Sequence, residues 1–444
     1  MADSSSLTSA DLARQKYIID VFESFYGDLM RSDGEAWRVK FRLMSATPHA
    51  FFRGSAVLFY SDLATDEDPF LDESASRVWI HGDLHVDNFG TYLDSTGRLL
   101  FDVIDFDEAY VGPFTWDLRR LAVSLALISY EKAMADDEIH TLIRALAESY
   151  ATQVKRFSTG EDDMSFAITL DNATGVALDV LRSARQMTRV NLLDSATEIK
   201  DGDRRFKRNQ NRSTVSDEIR EKLTEVFADY LTTIPTRKRL TSINSHIKDI
   251  TTAQGFGIGS VGLRMDSMLL EGPTQTLEND IILWFKQSLP SAVTRAVKDE
   301  RISAYFNHDG HRTAVSQRAL QVYADPWLGH AEMDGMGLFV MELPPYEASV
   351  RWSGVNQFDE LYVLVKDLGR IVAKIHCLSD EDSDHTLVPG SADQAILRSI
   401  GGREVAFAEA LADWSASYAR RVREDHQLFL DSFRNRQFPS LRAQ

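Results

Sequence analysis

The stretch W-I-H-G-D-L-H-V-D-N-F-G at 79–90 constrains this chain more than any other. It sets Asp83 and Asn88 five positions apart, just after an apolar Trp-Ile pair, and F-D-V-I-D-F-D-E follows at 101–108. The apolar segments Val78–Ile80 and Leu99–Ile104 flank the motif, with D-S-T-G (94–97) as a turn between them. That pattern predicts two short strands in a hairpin-like unit with polar residues at the strand ends. Such a unit suits a metal site, a phosphoryl-transfer site, or a polar turn.

His81, Asp83 and His85 stand at i, i+2, i+4, so on a strand they share one face and suit zinc or iron, as in a metallohydrolase. That reading gives no role to Asn88 or to the acids at 105–108. Phosphoryl transfer needs a carboxylate to orient or deprotonate a hydroxyl, oxygen ligands for a metal at the phosphates, and a lysine along the nucleotide. The spacing H-x-D-x-x-x-x-N supplies the first parts, with Asp83 and Asn88 in the two key places. Asp105, in Asp105-Phe106-Asp107, takes the place of the metal-binding aspartate that follows such a loop.

Downstream the texture changes. Apolar residues at helical spacing predict a helix from Trp116-Asp117, another through Ile139–Val154, and one capped by Ser216. Residues 255–288 are glycine-rich and strand-like, with Gly257-x-Gly259-Ser260-x-Gly262 matching a phosphate-covering loop and Lys286 in the alternating I-I-L-W-F-K. A lone G-x-G-x-x-G is weak, and a dinucleotide-binding unit would need a helix after it, which L-R-M-D-S-M-L-L-E-G-P does not predict. Helical spacing returns over 361–375 and 407–422. The expectation is an α+β fold in three stretches: a mainly helical catalytic part at 1–245, a β part with glycine loop and lysine at 246–346, and a helical return at 347–444.

H-G-D-L-H-V-D-N, I-D-F-D-E and G-P-F-T-W-D-L-R-R-L-A together resemble the core of aminoglycoside and choline phosphotransferases, within the protein-kinase-like superfamily. With S-A-T-P-H-A-F-F-R-G (45–54) and R-T-A-V-S-Q-R (312–318), the chain more closely resembles a bacterial family catalogued as domain of unknown function twenty-two fifty-two. The resemblance implies a bilobal kinase-like fold that uses ATP and magnesium. It implies Asp83 as catalytic base, His81 holding the loop, Asn88 and Asp105 as magnesium ligands, and Asp117 as a brace. Because the lysine and glycine loop follow the catalytic loop, the parts stand in circularly permuted order, and Lys286 is expected close to Asp105 in space. Glu300 is the candidate acidic partner of Lys286, with Asp299 equally placed. Asp107 and Glu108 are acids without an assigned part. Arg53 reads as either a buried salt bridge or a phosphate contact. A pseudokinase and an AMP transferase of the same fold are the alternatives to a phosphotransferase.

Composition narrows the partners. The chain has 444 residues, a net charge of −18 and one cysteine, Cys377. An acidic chain argues against nucleic acid or an anionic membrane as partner, although the basic run at 204–212 could receive an anionic substrate. One cysteine excludes an intrachain disulfide. No basic patch leads into an apolar run at the N-terminus, and no apolar stretch is long enough to span a bilayer, so a cytoplasmic protein is expected. The partners are a nucleotide and a hydroxyl-bearing acceptor, a small molecule favoured over a protein. Oligomeric state is not legible.

Overall fold

A computed structural model describes residues 7–208, 212–235, 246–254, 258–380 and 387–442. Thr8 caps the first helix, α1 (Ser9–Ser32), through a capping box with Asp11. Asp33 caps α2 (Gly34–Met44), and Thr47 with Pro48 at the first position starts α3 (Pro48–Gly54), followed by α4 (Ala56–Leu63). Strand β1 (Val78–Ile80) then enters the H-G-D-L-H-V-D-N motif. The hairpin differs from expectation: β2 (Phe89–Leu93) pairs with β3 (Leu99–Val103), and β1 pairs with β4 (Tyr110–Gly112). The reason is local. Asp94 Oδ1 accepts from the backbone N–H of Thr96 and Arg98, closing a tight turn that joins its immediate neighbours. Helices α5 (Phe114–Glu131), α6 (Asp136–Ser158) and α7 (Gly175–Arg185) follow. Residues 114–129 of α5 are buried all round, as a helix at the centre of a body requires.

Helix α8 (Arg189–Ala196), β5 (Thr197–Lys200), β6 (Asp203–Phe206), β7 (Arg212–Thr214) and α9 (Asp217–Tyr230) lead into β8 (Ile247–Gln254), β9 (Arg264–Leu270) and β10 (Ile281–Gln287). Then come α10 (Glu300–Tyr305), α11 (Asp309–Leu320), β11 (Gly329–Met333) and β12 (Met336–Glu342). The six-stranded antiparallel sheet runs β11-β12-β10-β9-β8-β7. Period-two alternation in β10 sends Ile281, Leu283 and Phe285 into a core with Val226, Phe227 and Tyr230 of α9, and Ile282 into another with Leu193 and Phe206. Strand β7 and helices α8 and α9 therefore belong with the sheet. The division drawn at 245/246 falls inside this unit, which begins near Arg189.

The chain returns through α12 (Phe358–Cys377), α13 (Ala392–Ile400), α14 (Glu404–Arg434) and α15 (Pro439–Arg442) to the helical body. Gly369 of α12 lies so close to α6 that a Cβ there would stand 2.5 Å from the Leu146 carbonyl oxygen. Phe22 and Phe41 pack edge-on at 5.7 Å, and Phe41 meets Phe429 of α14 at 5.1 Å, tying the first helices to the last long one. The fold is α+β, with the β1–β4 segment at the junction of helical body and sheet. Among the described residues no helix is long and apolar enough to cross a membrane.

Candidate active site

Buried strand β1 delivers His81-Gly82-Asp83 against the first turn of α5. The Asp117 carboxylate accepts the His81 N–H at 2.6 Å and the Gly82 N–H at 2.9 Å, and His376 Nε2 lies 3.3 Å from it. Gly82 has φ +76°, and a Cβ there would stand 2.2 Å from the Glu108 carbonyl oxygen. Only glycine suits that position. His81 Nδ1 accepts the Asp83 N–H, so Nε2 donates to the Ile104 carbonyl at 2.9 Å and ties the loop to the β3 end. Asn88 Nδ2 donates to the Asp83 carbonyl at 2.9 Å, leaving its own Oδ1 for another partner.

The Asp83 carboxylate meets Arg120, with Oδ1 2.6 Å from Nε and 2.5 Å from Nη2. Arg120 is fully buried, its guanidinium 4.5 Å from the Phe52 ring centroid. Burial pushes Asp83 up to about 6, with Arg120 opposing and Asp105 adding to the rise. Asp105 has φ +66°, a left-handed backbone that aspartate tolerates better than most residues and that is frequent at functional sites. Its half-exposed side chain lines a large cavity.

Lys286, from β10, pairs with Asp107 and stands 4.0 Å from Asp105 Oδ1. Burial opposes its charge, yet Asp107 and Asp105 outweigh that and raise its pKa above the ordinary value. Glu300 does not take the expected part: it opens α10, while Asp299 caps that helix and binds Arg77 at 2.8 Å. Asp107 holds the lysine because Arg312, buried on α11, fixes the segment by donating to the carbonyls of Asp107, Ala109 and Leu289. Glu347, beyond β12, is pushed up to about 7 by burial and by Asp105.

The large cavity measures about 680 Å³ and brings Asn88, Asp105 and Lys286 together with an apolar wall that includes Trp284, Phe339 and Tyr346. A size and lining of this kind suit a flat aromatic ligand with a charged tail. A second cavity of about 50 Å³ reaches Asp83, Glu108 and Lys40. Arg53 and Asp107 line both. Arg53 is a loose pair, 3.5 Å from Asp87, with its Nε toward the neutral, buried His85 at 3.4 Å.

The glycine loop joins β8 to β9, strand to strand. Gly257 lies outside the described residues. Gly259 lines the small cavity, whereas Ser260 and Gly262 line neither. At Gly262, with φ +79°, a Cβ would stand 2.9 Å from the Ala36 methyl of α2.

Among the described residues no three His, Cys, Asp or Glu side chains gather to hold a metal by themselves. Of His81, Asp83 and His85, His81 has both ring nitrogens committed to the loop, and Asp83 is paired with Arg120. Asn88 and Asp105 nevertheless fit magnesium, which takes few protein ligands and completes its shell with phosphate and water oxygens.

Fold and site define an α+β protein with a lysine–carboxylate cleft between helical body and sheet. The chain belongs to the family described as "Uncharacterized protein conserved in bacteria (DUF2252)", which it matches over residues 32–432. No curated protein and no solved structure matches it.

Proposed function

We propose that this protein is an ATP-dependent phosphotransferase of kinase-like, circularly permuted fold, acting on a small hydroxyl acceptor. One observation carries the reading: Lys286 reaches Asp107 across 179 positions of chain and stands 4.0 Å from Asp105, at a cavity that also holds Asn88 and adjoins, through Arg53 and Asp107, the small cavity lined by Asp83. The apolar wall takes the base, and Lys286 lies along the phosphates. Asn88 and Asp105 would hold magnesium, which neutralises phosphate charge when bound.

The chain's own groups supply the rest. Asp83, ionised for the most part at pH 7, accepts the acceptor's proton as its oxygen bonds to the γ-phosphorus. The bond from the γ-phosphorus to the bridging oxygen breaks, and the electron pair leaves with ADP. Arg120 holds Asp83 Oδ1 and leaves Oδ2 for the acceptor. Arg53, at the seam of the two cavities, is placed to meet the transferring group.

The test is incubation of purified protein with magnesium and γ- or α-labelled ATP against bacterial metabolites. Transfer of γ label that Asp83→Asn abolishes supports the proposal. Transfer of α label instead identifies an AMP transferase, and no transfer of either label with nucleotide still bound identifies a pseudokinase.

A further inference from the structure

The small cavity beside Asp83 lies where α1, α2 and α3 of the helical body meet the 258–263 turn of the sheet unit. Two polar groups on its wall make no hydrogen bond or ion pair among the described residues: Tyr26 Oη and Lys40 Nζ. Both side chains are over nine-tenths buried, at 5% and 6% exposure. Lys40 Nζ sits 5.2 Å from the Tyr26 ring centroid and 4.7 Å from that of Trp37. A buried ammonium without a counter-ion is costly.

The acids on the same wall are already engaged. Asp83 holds Arg120, Asp107 holds Lys286, and Glu108 accepts the Ala292 N–H at 2.5 Å. Arg53, the other cation, is loosely held by its 3.5 Å approach to Asp87 and its 3.4 Å contact with His85. Apart from the Asp83 oxygen that faces the acceptor, the unpaired groups of the chamber are thus a cation and a hydrogen-bond donor, Lys40 and Tyr26. Its volume of about 50 Å³ has room for roughly three to five waters, so it fits a charged head and little more.

We propose that this cavity is the acceptor subsite and binds a small oxyanion, the carboxylate or phosphate of a two- or three-carbon hydroxyl compound, between Lys40 and Tyr26 with the hydroxyl toward Asp83. The acceptor role rests on the phosphotransferase reading. Burial lowers Lys40 to about 8, while Glu108 and Asp83 favour its charge, so at pH 7 the ammonium form prevails.

Calorimetry on the full chain tests the subsite without asking for turnover. Inorganic phosphate, D-glycerate and glycerol are titrated into wild type, Lys40→Met and Tyr26→Phe, and magnesium-ATP is titrated separately into each. Phosphate or glycerate is expected to bind wild type, and glycerol is not. Lys40→Met should weaken the anion about tenfold or more and Tyr26→Phe about threefold, with ATP affinity unchanged in both. Tyr26→Phe keeps the ring packing, so it separates lost recognition from lost folding. A preference for glycerate points to a hydroxycarboxylate, and one for phosphate to a phosphate ester. Magnesium-ATP binding with no anion binding, or equal anion binding in all three proteins, overturns the inference. Lys40-dependent anion binding without any ATP binding supports the anion subsite and defeats the phosphotransferase reading instead.

Discussion

Lys286 and Asp107 form an ion pair that joins the sheet to the segment between β3 and β4 across 179 positions of chain. Asp105 stands at 4.0 Å from the same ammonium. Replacing the lysine removes the cation nearest Asp105 and Asp107 in the large cavity and leaves these two carboxylates without it. Lys286→Met is expected to lower stability by about 1–3 kcal/mol, as for a charged hydrogen bond broken in a partly exposed setting. Urea unfolding monitored by tryptophan fluorescence measures it.

Asp117 is the brace whose removal should cost turnover more than affinity. In Asp117→Asn the amide presents an NH₂ group to one of the two loop N–H donors, leaving that donor buried and unpaired, at about 1–3 kcal/mol. The Asp83 loop then loses its fixed position. The expectation is a fall in kcat of about 100-fold with KM for ATP changed less than about threefold, read from initial rates once an acceptor is in hand.

Gly82 tests the loop's backbone independently of charge. An alanine there meets the Glu108 carbonyl at 2.2 Å and must hold φ near +76°. Gly82→Ala should destabilise the fold by at least about 2 kcal/mol, from overpacking and the left-handed backbone together. Loss of soluble protein, or a lowered midpoint in thermal unfolding, is the observation expected.

The acid limb of the pH–rate profile follows from Asp83. The carboxylate must be ionised to accept a proton, and its pKa is about 6, so kcat/KM should fall roughly tenfold per pH unit below that value. Arg120 favours the ionised form. Arg120→Met should therefore move the inflection upward, whereas a purely structural arginine would lower the rate and leave the inflection in place.

Much of this was legible in the residues. Ser216 caps its helix as the spacing implied, accepting the Ile219 N–H, because helix caps are local. The clustering of Asp83, Asn88 and Asp105 was visible because these residues lie within about 30 positions of one another. The partner of Lys286 was not. Glu300 lies near in sequence, but strand β10 faces the hairpin, and Arg312 from a third element decides which acid meets the lysine. Arg120 carried a usable signal, three positions after Asp117 on the same helix face. Tyr26 and Lys40 carried none, since their meeting depends on how α1 packs on α2. Strand β7 is too short to announce itself, which is why the sheet unit starts earlier than its glycine-rich texture suggested.

The central claim is that the Lys286 cavity binds a magnesium nucleotide, and isothermal titration of ATP with and without magnesium tests it most directly. The account predicts magnesium-dependent binding by wild type and by Asp83→Asn, loss of the magnesium dependence in Asp105→Asn, and at least about 100-fold weaker binding by Lys286→Met. ATP binding that Lys286→Met retains in full, or no binding by the folded wild-type protein, would contradict it.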